Sequence, residues 1–216
     1  MARGAPSRLL NPVVGENRAV KPGPKRSATI GIVAALVVLL AACGGDDPKP
    51  KPRTDVPKGF EVPAGVTITK GGSTLGIGRS ASVVYRVEEQ AASAVTVAVN
   101  GVKTGDIDKD FTFFSLDDKL KAATPYYVRL SVVNEGPSGL GGVAIPVLAH
   151  TRSNTVFPPN ELVGTFKPCP NPALPESFLE GSKADLCLVF LLPKGEKLQS
   201  IDLQTGTEAD AIHWKP

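Results

Sequence analysis

Short runs in which apolar and polar residues alternate recur along the chain from about residue 60 to its end. A period of two is typical of strands that bury one face against a core. Residues 126–133 form the clearest run, and no segment keeps a helical period over three turns. The pattern predicts an all-β antiparallel sandwich. The other predicted strands are 83–87, 95–99, 111–116, 143–148, 162–166, 186–192, 198–203 and 211–214.

Glycine and proline mark several boundaries between these runs. Asn100-Gly101 is a hairpin signal after the second strand. Pro146 places its strand at a sheet edge or beside a bulge, because proline cannot donate to a ladder. Residues 76–81 fit the dinucleotide pattern G-x-G-x-x-A, but a strand-like run follows where that site needs a helix. We therefore expect these glycines to form a turn or bulge.

The N-terminal part has a different pattern. Lys25 and Arg26 precede fifteen uncharged residues, 28–42. As a helix, this run would span roughly 22 Å, which is short of the ~30 Å hydrocarbon core. A basic segment, a short apolar run and small residues at its end predict a secretory signal peptide over residues 1–42.

The leader ends in Leu40-Ala41-Ala42-Cys43. These residues resemble the lipobox of bacterial lipoproteins. The resemblance implies a diacylglyceryl (palmitate-type) lipid on the Cys43 thiol, cleavage between Ala42 and Cys43, and a lipid anchor on the extracytoplasmic face of the cell membrane. Two acyl chains, at about 0.8 kcal/mol per buried CH₂, suffice for stable anchoring. The alternative is an uncleaved signal anchor in which Cys43 is incidental.

Proline and lysine alternate after Cys43, with no apolar periodicity. Such a segment cannot bury a core and stays solvated, partly as polyproline II. The sequence thus predicts a disordered, flexible tether over residues 43–59 and a sandwich domain over 60–216.

The basic excess of the chain belongs to the leader. Of 24 basic and 21 acidic residues, six basic ones and one acidic one lie in residues 1–42, which leaves 18 basic and 20 acidic residues beyond it. A slightly acidic domain is a poor candidate for nucleic-acid binding.

Residues 126–136 form an alternating run that ends in an Asn and Gly turn, and a late apolar run precedes Pro193-Lys194-Gly195. In these two segments the domain resembles a family of immunoglobulin-like domains of unknown function found in Gram-positive lipoproteins. The likeness covers residues 65–216. It implies an immunoglobulin-like antiparallel β-sandwich and a cell-surface location, and it carries no active-site signature.

Cys169 and Cys187 are the pair that remains once Cys43 is lipidated. Outside the cytoplasm we expect them to form a disulfide. In the chain-entropy model this bridge stabilises the fold by roughly 3 kcal/mol. Metal ligation is the rival interpretation, but two cysteines without a neighbouring histidine make half a site.

The acidic run Asp106, Asp108 and Asp110 has the spacing of the start of a calcium loop. An EF-hand needs Gly at the sixth position and Glu at the twelfth, where this chain has Phe111 and Asp117. A solvated acidic loop is the prediction, with weak surface calcium binding as the alternative.

His150 and His213 lie in no recognisable motif, and no G-x-S-x-G elbow is present. We assign neither histidine a partner, and we interpret His213 beside Trp214 as strand packing. The sequence thus predicts a protein that is not an enzyme and has no cofactor and no metal site.

Two functional hypotheses remain. The first is a binding module that contacts an envelope protein through its loops, chiefly 136–142 and the segment between Cys169 and Cys187. The alternative is a carrier that holds an apolar ligand between its sheets, lined by the aromatic pairs 113–114 and 126–127.

Overall fold

The computed structural model describes residues 51–87 and 91–216. The signal peptide, Ala42, Cys43 and the tether up to residue 50 lie outside the described residues. Within the described ranges, no helix is long and apolar enough to cross a membrane.

In the part of the chain that the structure describes, ten strands form two five-stranded sheets, which confirms the predicted all-β sandwich. Neighbouring strands are antiparallel except β2 and β10, which pair in parallel. In order across the first sheet the strands are β1 (Lys51–Arg53), β3 (Ser80–Arg86), β4 (Ala92–Thr104), β5 (Thr124–Asn134) and β8 (Lys183–Leu192). In order across the second sheet they are β2 (Thr74–Gly76), β10 (Ile212–Lys215), β9 (Leu198–Leu203), β6 (Val147–Thr151) and β7 (Val156–Phe157).

Alternation along the strands places one set of apolar side chains between the sheets, where they form the main core. Trp214, Tyr85, Phe178 and Phe190 are at most 1 % exposed. The Trp214 indole N–H donates to the carbonyl of Arg79 at 2.7 Å, so its one polar atom is satisfied. The space in which a carrier would hold its ligand is therefore occupied by these aromatic side chains.

Two predicted strands are absent from the described residues, at 111–116 and 162–166. The first segment follows a short helix, α1 (Ile107–Asp110), and precedes a second, α2 (Asp118–Lys121). Asp106 caps α1 by accepting from the backbone N–H groups of Asp108 and Lys109, which favours a helical turn over an extended start. In both segments most of the apolar side chains, Phe111 and Phe166 among them, pack onto the outside of the first sheet and do not join its ladder.

The predicted hairpin at Asn100-Gly101 is also wrong. β4 runs through these residues, and its register against β5 shifts between Val99 and Gly101, as in a β-bulge. The ladder with β5 resumes beyond the bulge, so pairing along the whole strand overrides the local turn signal.

Other boundaries differ by smaller amounts. β6 begins just after Pro146, because proline lacks the N–H that the ladder needs. Gly78, with φ of +84°, makes the predicted turn into β3. Lys51–Arg53, inside the predicted tether, pairs with the outer edge of β3 as strand β1.

Candidate functional site

The outer face of the first sheet is covered by a second group of apolar side chains, which we call the outer layer. It combines residues of β5 and β8 with the α1–α2 region and the segment after β7. Phe166 packs against Phe111, Phe114 and Tyr127, with ring centroids 4.7 to 5.6 Å apart. The buried members are Phe111, Ala123, Tyr127, Phe166, Cys169, Cys187, Val189 and Leu191.

The predicted disulfide between Cys169 and Cys187 is present in the structure, with a Cα–Cα distance of 5.1 Å. Cys187 lies in β8, so the bridge attaches the long irregular segment before β8 to the edge of the first sheet. Both half-cystines are buried in the outer layer. Because their sulfur atoms are bonded to each other, neither residue has a free thiol that could bind a metal ion.

The same segment forms hydrogen bonds with backbone groups on the otherwise unpaired edge of β8. Asn160 donates its backbone N–H to the Val189 carbonyl, and its side-chain Oδ1 accepts from the Leu191 N–H, each at 2.7 Å. The Asn171 carbonyl accepts from the Cys187 N–H at 3.0 Å. These bonds replace the missing neighbouring strand at an edge that would otherwise pair with other chains.

A groove of about 710 Å³ lies between this segment and β8, at the edge of the sandwich. Its volume falls within the range of ligand sites, about 300–1,000 Å³. Its lining is largely aliphatic and proline-rich. Gly142, at one end of the predicted contact loop 136–142, is among the lining residues. Further lining residues are Ile145, Pro158, Pro159, Leu162, Ala173 and Leu188.

Two large apolar side chains next to the outer layer face solvent. Val163 lies between two groove-lining residues and is 96 % exposed. Phe113, beside the packed Phe114, is 98 % exposed. The pair 113–114 thus does not line a cavity between the sheets, and Tyr126 and Tyr127 pack on opposite faces of the first sheet.

The outer face of the second sheet carries a polar cluster, which we call the histidine–aspartate cluster. His213 in β10 lies directly across from Asp202 in β9, and His150 in β6 is diagonal to Asp202 on the other side. His150 Nδ1 is 2.9 Å from Asp202 Oδ2, and His213 Nδ1 is 2.9 Å from Asp202 Oδ1. One carboxylate therefore serves two imidazoles through different oxygens.

Neighbouring groups hold this cluster in place. The buried Ser200 hydroxyl donates to Asp202 Oδ1 at 2.7 Å. His150 Nε2 is 3.0 Å from Asn154 Oδ1. The serine hydroxyl is bonded to the carboxylate and not to an imidazole, so these groups are not arranged as a Ser-His-acid triad.

Sequence reasoning missed this cluster, and the assignment of no partner to either histidine was wrong. Each histidine occupies a polar position of an alternating strand, which was a usable signal for one shared outer face. The order of the strands that brings β6, β9 and β10 together was not available from that alternation.

Two carboxylates of the acidic run at residues 106–110, those of Asp106 and Asp110, make contacts within the fold. Asp106 caps α1 and pairs with Lys109, whose Nζ is 2.8 Å from Asp106 Oδ2. The Tyr127 hydroxyl donates to Asp110 Oδ2 at 2.6 Å. The Asp106 backbone N–H and this hydroxyl hold the pKa of Asp110 below its usual value. Burial, and then the same bond, raises the pKa of Tyr127.

No protein-family model matches the chain, and no curated protein matches it. Among solved structures, the chain is similar to MPT63, a secreted protein from Mycobacterium tuberculosis. The two are 12 % identical with a TM-score of 0.46, and the match covers 66 % of this chain and 96 % of that one.

Proposed function

We propose that the chain is a lipid-anchored extracytoplasmic binding module that holds an apolar segment of an envelope protein in the groove beside β8. The lipobox-like Leu40-Ala41-Ala42-Cys43 supports export and anchoring. The disulfide supports an oxidising compartment outside the cytoplasm. Membership of the immunoglobulin-like domains of Gram-positive lipoproteins is part of this proposal.

The groove is the observation on which the proposed binding role rests. Its walls are mainly apolar, and one wall is fixed to β8 by the disulfide and the Asn160 and Asn171 backbone bonds. A wall held in this way is preorganised, which lowers the entropic cost of binding.

The surroundings of the groove favour a protein over a small molecule. A ligand contained within about 710 Å³ would leave Val163, on the rim, in water. A protein segment with its flanking surface covers groove and rim together, as in interfaces with an apolar centre. The filled core also argues against the alternative, a carrier with ligand between its sheets.

The binding role is tested by photo-crosslinking of the full-length chain in an exporting bacterium. A photoreactive amino acid replaces Ala173 in the groove wall or Val163 on the rim, and Lys70 is the control position. Lys70 precedes β2, an edge strand of the second sheet, and does not line the groove. We expect one shared protein adduct from both groove positions and none from Lys70.

A second step tests whether the adduct reports specific binding. The partner is purified, and its affinity for the full chain and for Val163→Asp is measured. We expect at least a tenfold loss, because the substitution places a charge at an apolar contact. Equal affinity, or the same adducts from Lys70, contradicts the proposal.

The anchor is tested separately by Cys43→Ser, with Cys169→Ser as the control for loss of a thiol. We expect Cys43→Ser alone to abolish labelling by radioactive palmitate and to leave unprocessed precursor. Equal labelling of Cys43→Ser and the unaltered chain rejects the lipid anchor, whatever the crosslinking result.

A further inference from the structure

We propose that His150, Asp202 and His213 bind one divalent transition-metal ion, with Zn²⁺ as the preferred ion. The Nδ1 atoms of the two histidines and the Asp202 carboxylate are the ligands. This site lies on the second sheet, separate from the groove, and does not depend on the proposed binding role.

The hydrogen bonds around His150 indicate which nitrogen is free to bind a metal. Asn154 Oδ1 accepts hydrogen bonds and lies 3.0 Å from His150 Nε2, so a neutral imidazole carries its proton on Nε2. The Nδ1 lone pair then faces Asp202 Oδ2 at 2.9 Å. Two electron-pair donors at that distance repel each other unless a proton or a metal ion lies between them.

The arrangement at His213 adds the third ligand. Its Nδ1 is 2.9 Å from Asp202 Oδ1, the other oxygen of the same carboxylate. One ligand atom from each of the three residues lies within 4.8 Å of the other two. Tetrahedral Zn²⁺ with bonds of about 2.0–2.2 Å separates its ligand atoms by about 3.4 Å. Small side-chain rotations on three hydrogen-bonded strands therefore suffice to bring the ligands to that separation.

The outer contacts resemble those of protein metal sites in general. Metal-binding histidines commonly donate their second ring N–H to an oxygen, which sets the tautomer and ring orientation. Asn154 supplies that oxygen for His150. Ser200 orients the Asp202 carboxylate by donating to Oδ1. These contacts fix two of the three ligands before any metal binds.

The ligand types and their exposure indicate the class of ion. Two imidazole nitrogens and one carboxylate suit Zn²⁺, Cu²⁺ or Ni²⁺, whereas Ca²⁺ and Mg²⁺ prefer oxygen ligands. The side chains of His150, Asp202 and His213 are 12 %, 6 % and 25 % exposed. Three protein ligands with partial solvent access leave one position for water or an external ligand.

The test is calorimetric titration of ZnCl₂ into the full-length chain, purified in detergent without a polyhistidine tag and stripped with EDTA. We expect saturable binding of one Zn²⁺ per chain. Asp202→Asn keeps the side-chain shape but removes the anionic ligand, and we expect at least tenfold weaker binding. Asp185→Asn, an exposed carboxylate on β8, is the matched control and should bind as the unaltered chain does.

Two further measurements keep the result interpretable. Circular dichroism and thermal unfolding in EDTA show whether each variant is folded, and His213→Gln replaces Asp202→Asn if the latter is not. X-ray absorption of the zinc complex should show only nitrogen and oxygen ligands. The proposal is overturned by the absence of saturable binding, by sulfur ligation, or by equal affinity of the ligand variant and the Asp185→Asn control.

Discussion

The two outer faces of the sandwich are built in different ways. The face of the first sheet is covered by the outer layer, in which Phe166 contacts three other aromatic rings beside the disulfide. The face of the second sheet carries the histidine–aspartate cluster, organised around Asp202. One face is stabilised mainly by burial of apolar area, and the other mainly by directional polar contacts.

The outer layer thus serves mainly to stabilise the fold, whereas the histidine–aspartate cluster presents titratable groups. Apolar packing tolerates many arrangements of similar volume, whereas a carboxylate shared by two imidazoles needs defined distances. Accordingly, the polar cluster lies on regular strands, and the outer layer includes irregular segments. Substitutions on each face should therefore have different magnitudes and different dependence on pH.

The largest effect is expected for Phe166→Ala in the outer layer. Phe166 is 4 % exposed, and removing a buried aromatic ring costs about 4 kcal/mol when the cavity cannot collapse. Urea unfolding of the EDTA-treated protein should show this loss in the free energy of unfolding. A loss below about 1 kcal/mol would mean that the outer layer is not a packed core.

Removal of the disulfide is expected to cost about 3 kcal/mol. The bridge closes a separation of 18 residues, and the Cys169→Ser/Cys187→Ser double variant frees that loop in the unfolded chain. Urea unfolding is measured with and without dithiothreitol. The reductant should destabilise the unaltered protein to the level of the double variant and leave that variant unchanged.

On the opposite face, Ser200→Ala is expected to cost about 2 kcal/mol. The Ser200 hydroxyl is buried and donates to a carboxylate, and such hydrogen bonds contribute about 1.5–3 kcal/mol. The substitution leaves Asp202 Oδ1 without the serine hydroxyl as a donor. Ser82→Ala, a half-buried serine bonded to Thr96, is the control and should cost less. Equal losses would show that Asp202 gains nothing from the buried donor.

Tyr127→Phe is expected to cost about 1 kcal/mol near pH 7, because it removes the bond to the Asp110 carboxylate. That bond contributes to the lowered pKa of Asp110, so its stabilisation is present above the unfolded pKa of about 4. It is lost as the pH falls through the lower folded pKa. Urea unfolding at pH 7 and pH 2.5 should show the difference between the two proteins shrinking in acid.

The smallest effect is expected for Phe113→Ala. Its ring is 98 % exposed, so the free energy of unfolding should change by less than about 0.5 kcal/mol. Phe166→Ala is the matched comparison, since the same substitution then differs only in burial. A loss above 1 kcal/mol would indicate that Phe113 packs against another part of the protein.

Two of the predicted strands match the structure closely. The predicted strand 198–203 coincides with β9, and the run 126–133 lies within β5. The strand predictions at 111–116 and 162–166 were wrong because apolar residues of these segments cover the outside of a sheet. Periodicity cannot distinguish this packing from that of a buried strand. The groove and the histidine–aspartate cluster depend on which strands are neighbours, and alternation within one strand does not encode that order.

The position of β10 has a consequence for the order of folding. This strand lies between β2 and β9, and its Trp214 bonds to Arg79 across 135 residues of sequence. The second sheet therefore stays incomplete until residues 212–215 are free to insert, and loop closure over such a separation is slow. The same late insertion brings His213 to Asp202, so the metal ligands assemble only in the finished fold.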